Sequence, residues 1–188
     1  MPTIAWKYND DMKPPERIET ERLVLRKPRM DDAPDIFMGY AQDPEVTRYL
    51  TWLAHKSVEE TYQIVGQMLK HWEAGEAYPY AITPKDSDTI IGMIAMHPNG
   101  LRIGLGYVLA RSSWGKGYVP EALRAIIDWA LQQPSIYRVY ATTDVENTAS
   151  RRVMEKVEMQ CEGILRKYIL HPNISNVPRD SYIYAITK

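Results

Sequence analysis

Hydrophobic positions along the chain follow two spacings, and the switches between them mark out the elements. Leu23 and Leu25 alternate with other residues between Glu21 and Lys27, the period of a first strand. Asp31-Asp32-Ala33-Pro34-Asp35 places acids and an early proline where a helix starts; that helix is expected to run to about Tyr40, with a turn beginning at Asp43-Pro44. Ser57-Val58-Glu59-Glu60 reads as a capping box. Val58, Tyr62, Val65, Leu69 and Trp72 follow at helical spacing, which predicts a helix over 58–73. Strands over Tyr78 to Thr83 and Ile90 to Met96, a Pro98-Asn99-Gly100 turn and a strand from Arg102 to Ala110 suggest an antiparallel hairpin. A second amphipathic helix sets Leu123, Ile126, Ile127 and Ala130 on one face and stops by Pro134. Arg138 to Asp144 is strand-like, Val145-Glu146-Asn147 leads into a helix ending near Lys156, and late strands over about 160–170 and 180–187 close the chain.

Helices interleaved with strands in this order predict a mixed α/β fold, and a strand, loop, helix and strand from Ile103 to Asp144 predict a right-handed parallel crossover. A chain of 188 residues is expected to form a single domain, over 17–188. Residues 1–16 form an amino-terminal extension with Pro2, Pro14 and Pro15; they read as an extended arm whose Trp6 and Tyr8 could dock on the body.

Charge narrows the classes of partner. With 23 Lys and Arg against 24 Asp and Glu, there is no electrostatic case for nucleic acid or an anionic membrane. The single cysteine, Cys161, excludes an internal disulfide framework, fits a reducing compartment and reads as a small semi-buried residue. His55, His71, His97 and His171 never pair at i, i+4 and have no cysteine cluster beside them, so no metal is expected. The amino terminus lacks the apolar stretch of a signal peptide, and the longest apolar run, near Ile90 to Met96, is too short to span a bilayer. A cytoplasmic protein is the resulting expectation.

Candidate chemistry concentrates at Ser112-Ser113-Trp114-Gly115-Lys116-Gly117-Tyr118, between a strand and the helix carrying Glu121 and Ala122. A tight loop opening a helix presents free backbone N–H groups at the positive end of the helix dipole, a ready site for a phosphate. The sequence is neither a Walker A loop nor a dinucleotide fingerprint, which would need a third glycine. An ordinary tight turn is the plain alternative. Gly104 and Gly106, inside a strand pattern, read as a bulge or a close backbone approach.

Several separate stretches, in order, resemble the GNAT acetyltransferases, specifically their RimJ/RimL branch, which acetylates protein amino termini. They are Thr20 to Arg26, Asp43 to Leu50, Ile91-Gly92-Met93-Ile94, Trp114 to Tyr118 with Glu121-Ala122, Glu146 to Ser150 with Val153 and Lys156, and Asp180 to Thr187. The resemblance implies an acyl-CoA N-acyltransferase fold: largely antiparallel strands with a central splayed parallel pair, flanked by helices. Three positions depart from the family pattern. Ser112, with Arg111 before it, stands where Gln or Arg is usual, Pro120 where Thr is frequent, and Glu158 where Gly is usual. Glu158 is costly if its backbone needs a positive φ.

The resemblance implies acetyl-CoA as cosubstrate. Backbone N–H groups from Ser113 through Trp114, Gly115, Lys116 and Gly117 to Tyr118 would hold its pyrophosphate. Lys116 would add a charge contact or stay solvated, and Trp114 would anchor the loop or core. The pantetheine would run beside Tyr107-Val108-Leu109, with a backbone N–H of Val108 or Leu109 for the oxyanion. Asn147 is a good helix N-cap and, by resemblance, faces the pantetheine. Ser150 either bonds its own helix turn or, as in that branch, approaches the CoA sulfur and assists thiolate departure. His97 is a candidate base by its ordinary pKa or simply a surface histidine, with Glu146 and Asp144 as further candidates. Arg48, Tyr49, Trp52, Tyr168 and Arg179 are candidate acceptor-site residues.

A lysine side chain is only ~0.04% neutral at pH 7 and an α-amino group roughly 15–20%, a difference of about 3.5 kcal/mol. An amino-terminal substrate therefore needs less help from a base. The expected function is acetyl-CoA-dependent N-acetylation of a primary amine, a peptide or protein α-amino group foremost, by direct attack in a ternary complex. Small amines (an aminoglycoside, polyamine or amino acid) and a CoA-binding sensor with little catalysis are the alternatives. Neither nucleic acid nor membrane is an expected partner, and a homodimer is allowed for.

Overall fold

The structure is a computed structural model that describes residues 12–188. Strands β1 (Arg17–Glu19) and β2 (Leu23–Arg26) open the chain, followed by short helices α1 (Ala33–Ile36) and α2 (Pro44–Thr47) and the long α3 (Val58–Ala74). Next come β3 (Tyr78–Pro84), β4 (Gly92–Asn99), β5 (Arg102–Leu109), α4 (Tyr118–Gln132), β6 (Arg138–Asp144), α5 (Thr148–Lys156), β7 (Gln160–Ile169) and β8 (Arg179–Thr187). The strands form one sheet in the order β1-β2-β3-β4-β5-β6-β8-β7, antiparallel except for the β5–β6 pair. This is the mixed, largely antiparallel sheet with a central parallel pair that the sequence resemblance implies.

Period-2 alternation gives the sheet two buried faces. One face sets Leu23, Leu25, Ile82, Ile94, Met96 and Ile103 against Leu123, Ile126 and Ile127 of α4. The other packs Ala81 and Met93 against Ile36, Tyr40 and Val65 from the α1–α3 side. Three local differences from the sequence pattern have simple causes. Asp43 does not start a plain turn: its carboxylate accepts from the Glu45 N–H and caps α2. Strand β4 runs through Pro98 to Asn99 because the hairpin reverses one step later, at Gly100, which takes φ +62°. Cys161 is exposed rather than semi-buried, because β7 is an edge strand.

Trp6 and Tyr8 lie outside the described residues. Further on, Met12 is buried, and the hydroxyls of Tyr78 and Tyr80 donate to the carbonyls of Met12 and Pro15 at 2.9 and 2.7 Å. Residues 12–15 are therefore fastened to the body. Among the described residues no helix is long and apolar enough to cross a membrane, and no group of three or more His, Cys, Asp or Glu side chains is placed to hold a metal.

Candidate active site

The parallel ladder between β5 and β6 is short. Its pairs run from Arg102↔Arg138 to Leu105↔Ala141 and stop there. Strand β5 stays paired with β4 as far as Leu109, and β6 stays paired with β8 as far as Asp144. Beyond Leu105 the two strands therefore part, leaving a wedge-shaped gap between Gly106–Leu109 and Thr142–Asp144. Gly92 keeps β4 and β5 close beside it: a Cβ there would stand 2.4 Å from the Val108 carbonyl oxygen.

At the open end of β5 the chain turns through a 3-10 turn over Arg111–Ser113 into the glycine loop. The N–H groups of Ser113 and Trp114 bond the carbonyls of Ala110 and Arg111, so these two amides are not free to bind a ligand, contrary to expectation. The amides of Gly115, Lys116, Gly117 and Tyr118 have no acceptor among the described residues and precede a helix that has no side-chain cap. Gly115 and Gly117 take φ +75° and +80°, a conformation natural to glycine. Trp114 is half-exposed and donates its indole N–H to the Leu109 carbonyl, an anchor for the loop. Lys116 is exposed.

A polar brace holds this loop to the start of the domain. Glu121, in the first turn of α4, accepts from the Thr20 hydroxyl (2.5 Å), the Arg22 N–H (2.8 Å) and the Arg22 guanidinium (2.7 Å). Arg22 also donates to the Lys116 carbonyl and lies over the Tyr118 ring. Burial works to raise the Glu121 pKa, but the bonds from Thr20 and Arg22 outweigh it and hold the carboxyl below its usual value. Nothing in the spacing of Thr20, Arg22 and Glu121 shows that they would meet.

On the other side of the gap, Asn147 caps α5, its side-chain oxygen accepting from the Ser150 N–H at 3.1 Å. Ser150 itself is 2.7 Å from the hydroxyl of Tyr107 on β5. Burial pushes the Tyr107 phenol up to about 12, partly offset by Ser150. Sequence reasoning counted Tyr107 only as part of a strand. Its position on β5, two residues past the last parallel pair, was the available signal.

A cavity of about 640 Å³ opens from the gap on the α1–α3 side of the sheet. Val108, Asn147 and Ser150 border it, as do Tyr49, Trp52 and Tyr168. The remaining acceptor candidates do not. Arg48 is exposed and lies over the Tyr49 ring, and Arg179 is held by Asp144 (2.6 Å) and Glu146 (3.0 Å). The same bonds remove Asp144 and Glu146 as bases: Asp144 is fully buried and, despite the burial, held below its usual pKa by Arg179. Asn173 closes the acceptor side, donating to the Thr47 and Trp52 carbonyls and accepting from the Ala54 N–H. It ties the loop between β7 and β8 to the segment between α2 and α3.

Gly115–Tyr118, with four free amides at a helix mouth, suit a pyrophosphate, and the unpaired edge of β5 suits an extended amide-bearing chain. The acetyltransferase (GNAT) domain family model matches residues 22–160. Among relatives, N-acetyltransferase p20 of Bacillus licheniformis, itself uncharacterized, is 34% identical over 157 residues, 81% of this chain and 87% of that one. The ribosomal protein uS5-alanine N-acetyltransferase of Escherichia coli K12 is 26% identical over 184 residues, 93% of this chain and 92% of that one. Among solved structures, RimJ of Mycobacterium smegmatis, in complex with CoA-disulfide, superposes with a TM-score of 0.80 at 23% identity. That match covers 91% of this chain and 86% of that one.

Proposed function

The chain belongs to the GNAT acetyltransferase family and is an acetyl-CoA-dependent N-acetyltransferase; from that premise we propose that its acceptor is the α-amino group of a peptide or protein. The observation that carries this reading is the lining of the cavity, which among the described residues holds neither Asp nor Glu. An aminoglycoside or polyamine brings several positive charges, and burying them without anionic partners is costly. A peptide amino terminus brings one charge, which is lost on acetylation, and a short side chain suited to an aromatic and apolar wall. The name of the E. coli relative, which specifies the alanine of a ribosomal protein, supports the same class.

The chain's residues divide the work. The amides of Gly115 to Tyr118 hold the pyrophosphate, and Glu121 with Arg22 holds the loop that carries them. Acetyl-CoA supplies the activated acetyl group; the gap edge of β5, from Gly106 to Leu109, orients it and offers a backbone N–H to the oxyanion. Asn147 fixes the first turn of α5, which places Ser150 at the gap. The Ser150 hydroxyl gives the departing sulfur its proton. Tyr107, protonated throughout the neutral range, keeps that hydroxyl oriented.

Thiol release from acetyl-CoA, measured against a panel of amines, tests the acceptor. Short peptides with a free amino terminus are expected to give the highest kcat/KM. A preference for spermidine, an aminoglycoside or a free amino acid would overturn the assignment.

A further inference from the structure

Two glycines on β5 leave bare backbone on the cavity side, and rings from the flanking strands fill the space. Over Gly104 stands Tyr140 of β6, 3.1 Å from where a Cβ would be. Over Gly106 stands His97 of β4, its Nε2 3.9 Å from the corresponding position. Strand register alone would set His97 opposite Gly104; the imidazole instead leans one residue pair along β5. That brings it to the first residue beyond Leu105↔Ala141, where the gap opens. His97 borders the same cavity as Ser150 and Tyr107 and is exposed to solvent.

We propose that His97 is the general base of the transfer, taking the proton from the acceptor ammonium on the cavity side of the gap while Ser150 serves the sulfur. This rests on the amine-acceptor reading above, and it names a residue that reading left unassigned. Nε2 takes one proton from the ammonium. The amine nitrogen then bonds the acetyl carbon as the carbon–sulfur bond breaks. The sulfur takes a proton from Ser150, the second nitrogen proton restores Ser150, and the imidazolium discharges to water at the cavity mouth. One amide, one thiol and one proton result.

Three observations converge on this residue. The carboxylates nearest the gap, Asp144 and Glu146, are occupied by Arg179, and among the described residues no carboxylate lines the cavity. His55, also in the wall, has its Nδ1 engaged by Thr61 at 2.8 Å. The groups around His97 favour the neutral imidazole: the protein crowding it lowers its pKa, and His71 on α3 adds to the shift. His71 is itself bonded to Glu76 at 2.7 Å, and Tyr140 of β6 stands over Gly104, the register partner of His97. A base must be unprotonated to act, so a histidine held neutral at pH 7 meets that requirement.

His97→Gln keeps a polar side chain of similar reach and removes the base. With whichever amine the panel ranks first, kcat/KM at pH 7 is expected to fall about 10²-fold. Acetyl-CoA affinity by calorimetry and the thermal midpoint should stay at wild-type values. The acid limb of the wild-type kcat/KM profile should follow the titration of His97, which must be neutral to take the ammonium's proton; in the variant that limb should move to the pKa of the free amine. Imidazole should partly restore His97→Ala. Independently of any acceptor, the His97 ring resonance should titrate below the ordinary histidine value and move when CoA is added. A variant within twofold of wild type with an unchanged profile, or a ring resonance indifferent to CoA, overturns the proposal. Failure of peptides in the panel with loss of rate in His97→Gln overturns the acceptor class and leaves the base in place.

Discussion

The hydroxyls of Tyr107 and Ser150 stand 2.7 Å apart across the mouth of the gap between β5 and β6. One comes from the strand and the other from the first turn of α5, so the pair spans the place where the two strands separate. If Ser150 donates to the departing sulfur, Ser150→Ala should lower kcat about 10²-fold and change KM for acetyl-CoA little. Tyr107→Phe keeps the ring and loses only the orienting hydroxyl, so its loss should be smaller. Steady-state kinetics at saturating acceptor reads both. Wild-type kcat in Ser150→Ala would leave Ser150 a first-turn residue only.

Glu158 takes φ +64° directly after α5, where glycine is the natural residue. Its N–H bonds the Glu155 carbonyl and the Met159 N–H bonds the Met154 carbonyl, the pairing of a Schellman end. The helix thus keeps its terminus and carries the cost of a left-handed side chain. Glu158→Gly should raise stability by about 1 kcal/mol in urea unfolding, net of glycine's greater freedom in the unfolded chain. Since Glu158 is exposed and does not border the cavity, kinetic constants should not change.

Glu121 carries the loop brace. Glu121→Ala leaves Thr20 and Arg22 without their shared acceptor and should cost about 2 kcal/mol of stability, with weaker acetyl-CoA binding in calorimetry. The folded-state pKa of Glu121 is depressed. Its contribution is therefore fully present above the unfolded value near 4.3 and is lost as pH falls through the lower folded value. Thermal midpoints of wild type and variant should converge as the pH is lowered below about 4.

At Gly117, φ is +80° and a Cβ would meet the Arg22 guanidinium at 3.5 Å. Gly117→Val should reduce acetyl-CoA affinity more than tenfold, because reshaping this turn redirects the amides on either side of it. Unchanged affinity would contradict the pyrophosphate assignment.

The sequence made most of the element order legible because period and caps agree in the longer elements. The Ser57 cap of α3 and the apolar stripe of α4 both appear as read, with Ser57 accepting from the Glu60 N–H; the reciprocal bond of a capping box is displaced by one residue, because the Glu60 carboxylate accepts from the Lys56 N–H. Less visible was anything that depends on two distant segments meeting. The meeting of Glu121 with Thr20 and Arg22 follows from tertiary packing, as does the capture of Arg179 by Asp144, which takes away both an acceptor candidate and a base candidate. The use of the Ser113 and Trp114 amides within the 3-10 turn depends on a backbone path that spacing does not specify. His97 was legible as a residue and not as a position, since its lean toward Gly106 departs from strand register.

The most direct test of the central claim is to offer the enzyme one peptide with a free amino-terminal alanine and an internal lysine, then locate the acetyl group by fragment mass spectrometry. Acetyl on the α-nitrogen alone at early times is the expected result, because among the described residues no carboxylate lines the cavity and the α-amino group is the one more often neutral. Acetyl on the lysine, or no transfer to the peptide while a small polyamine is acetylated, would contradict it.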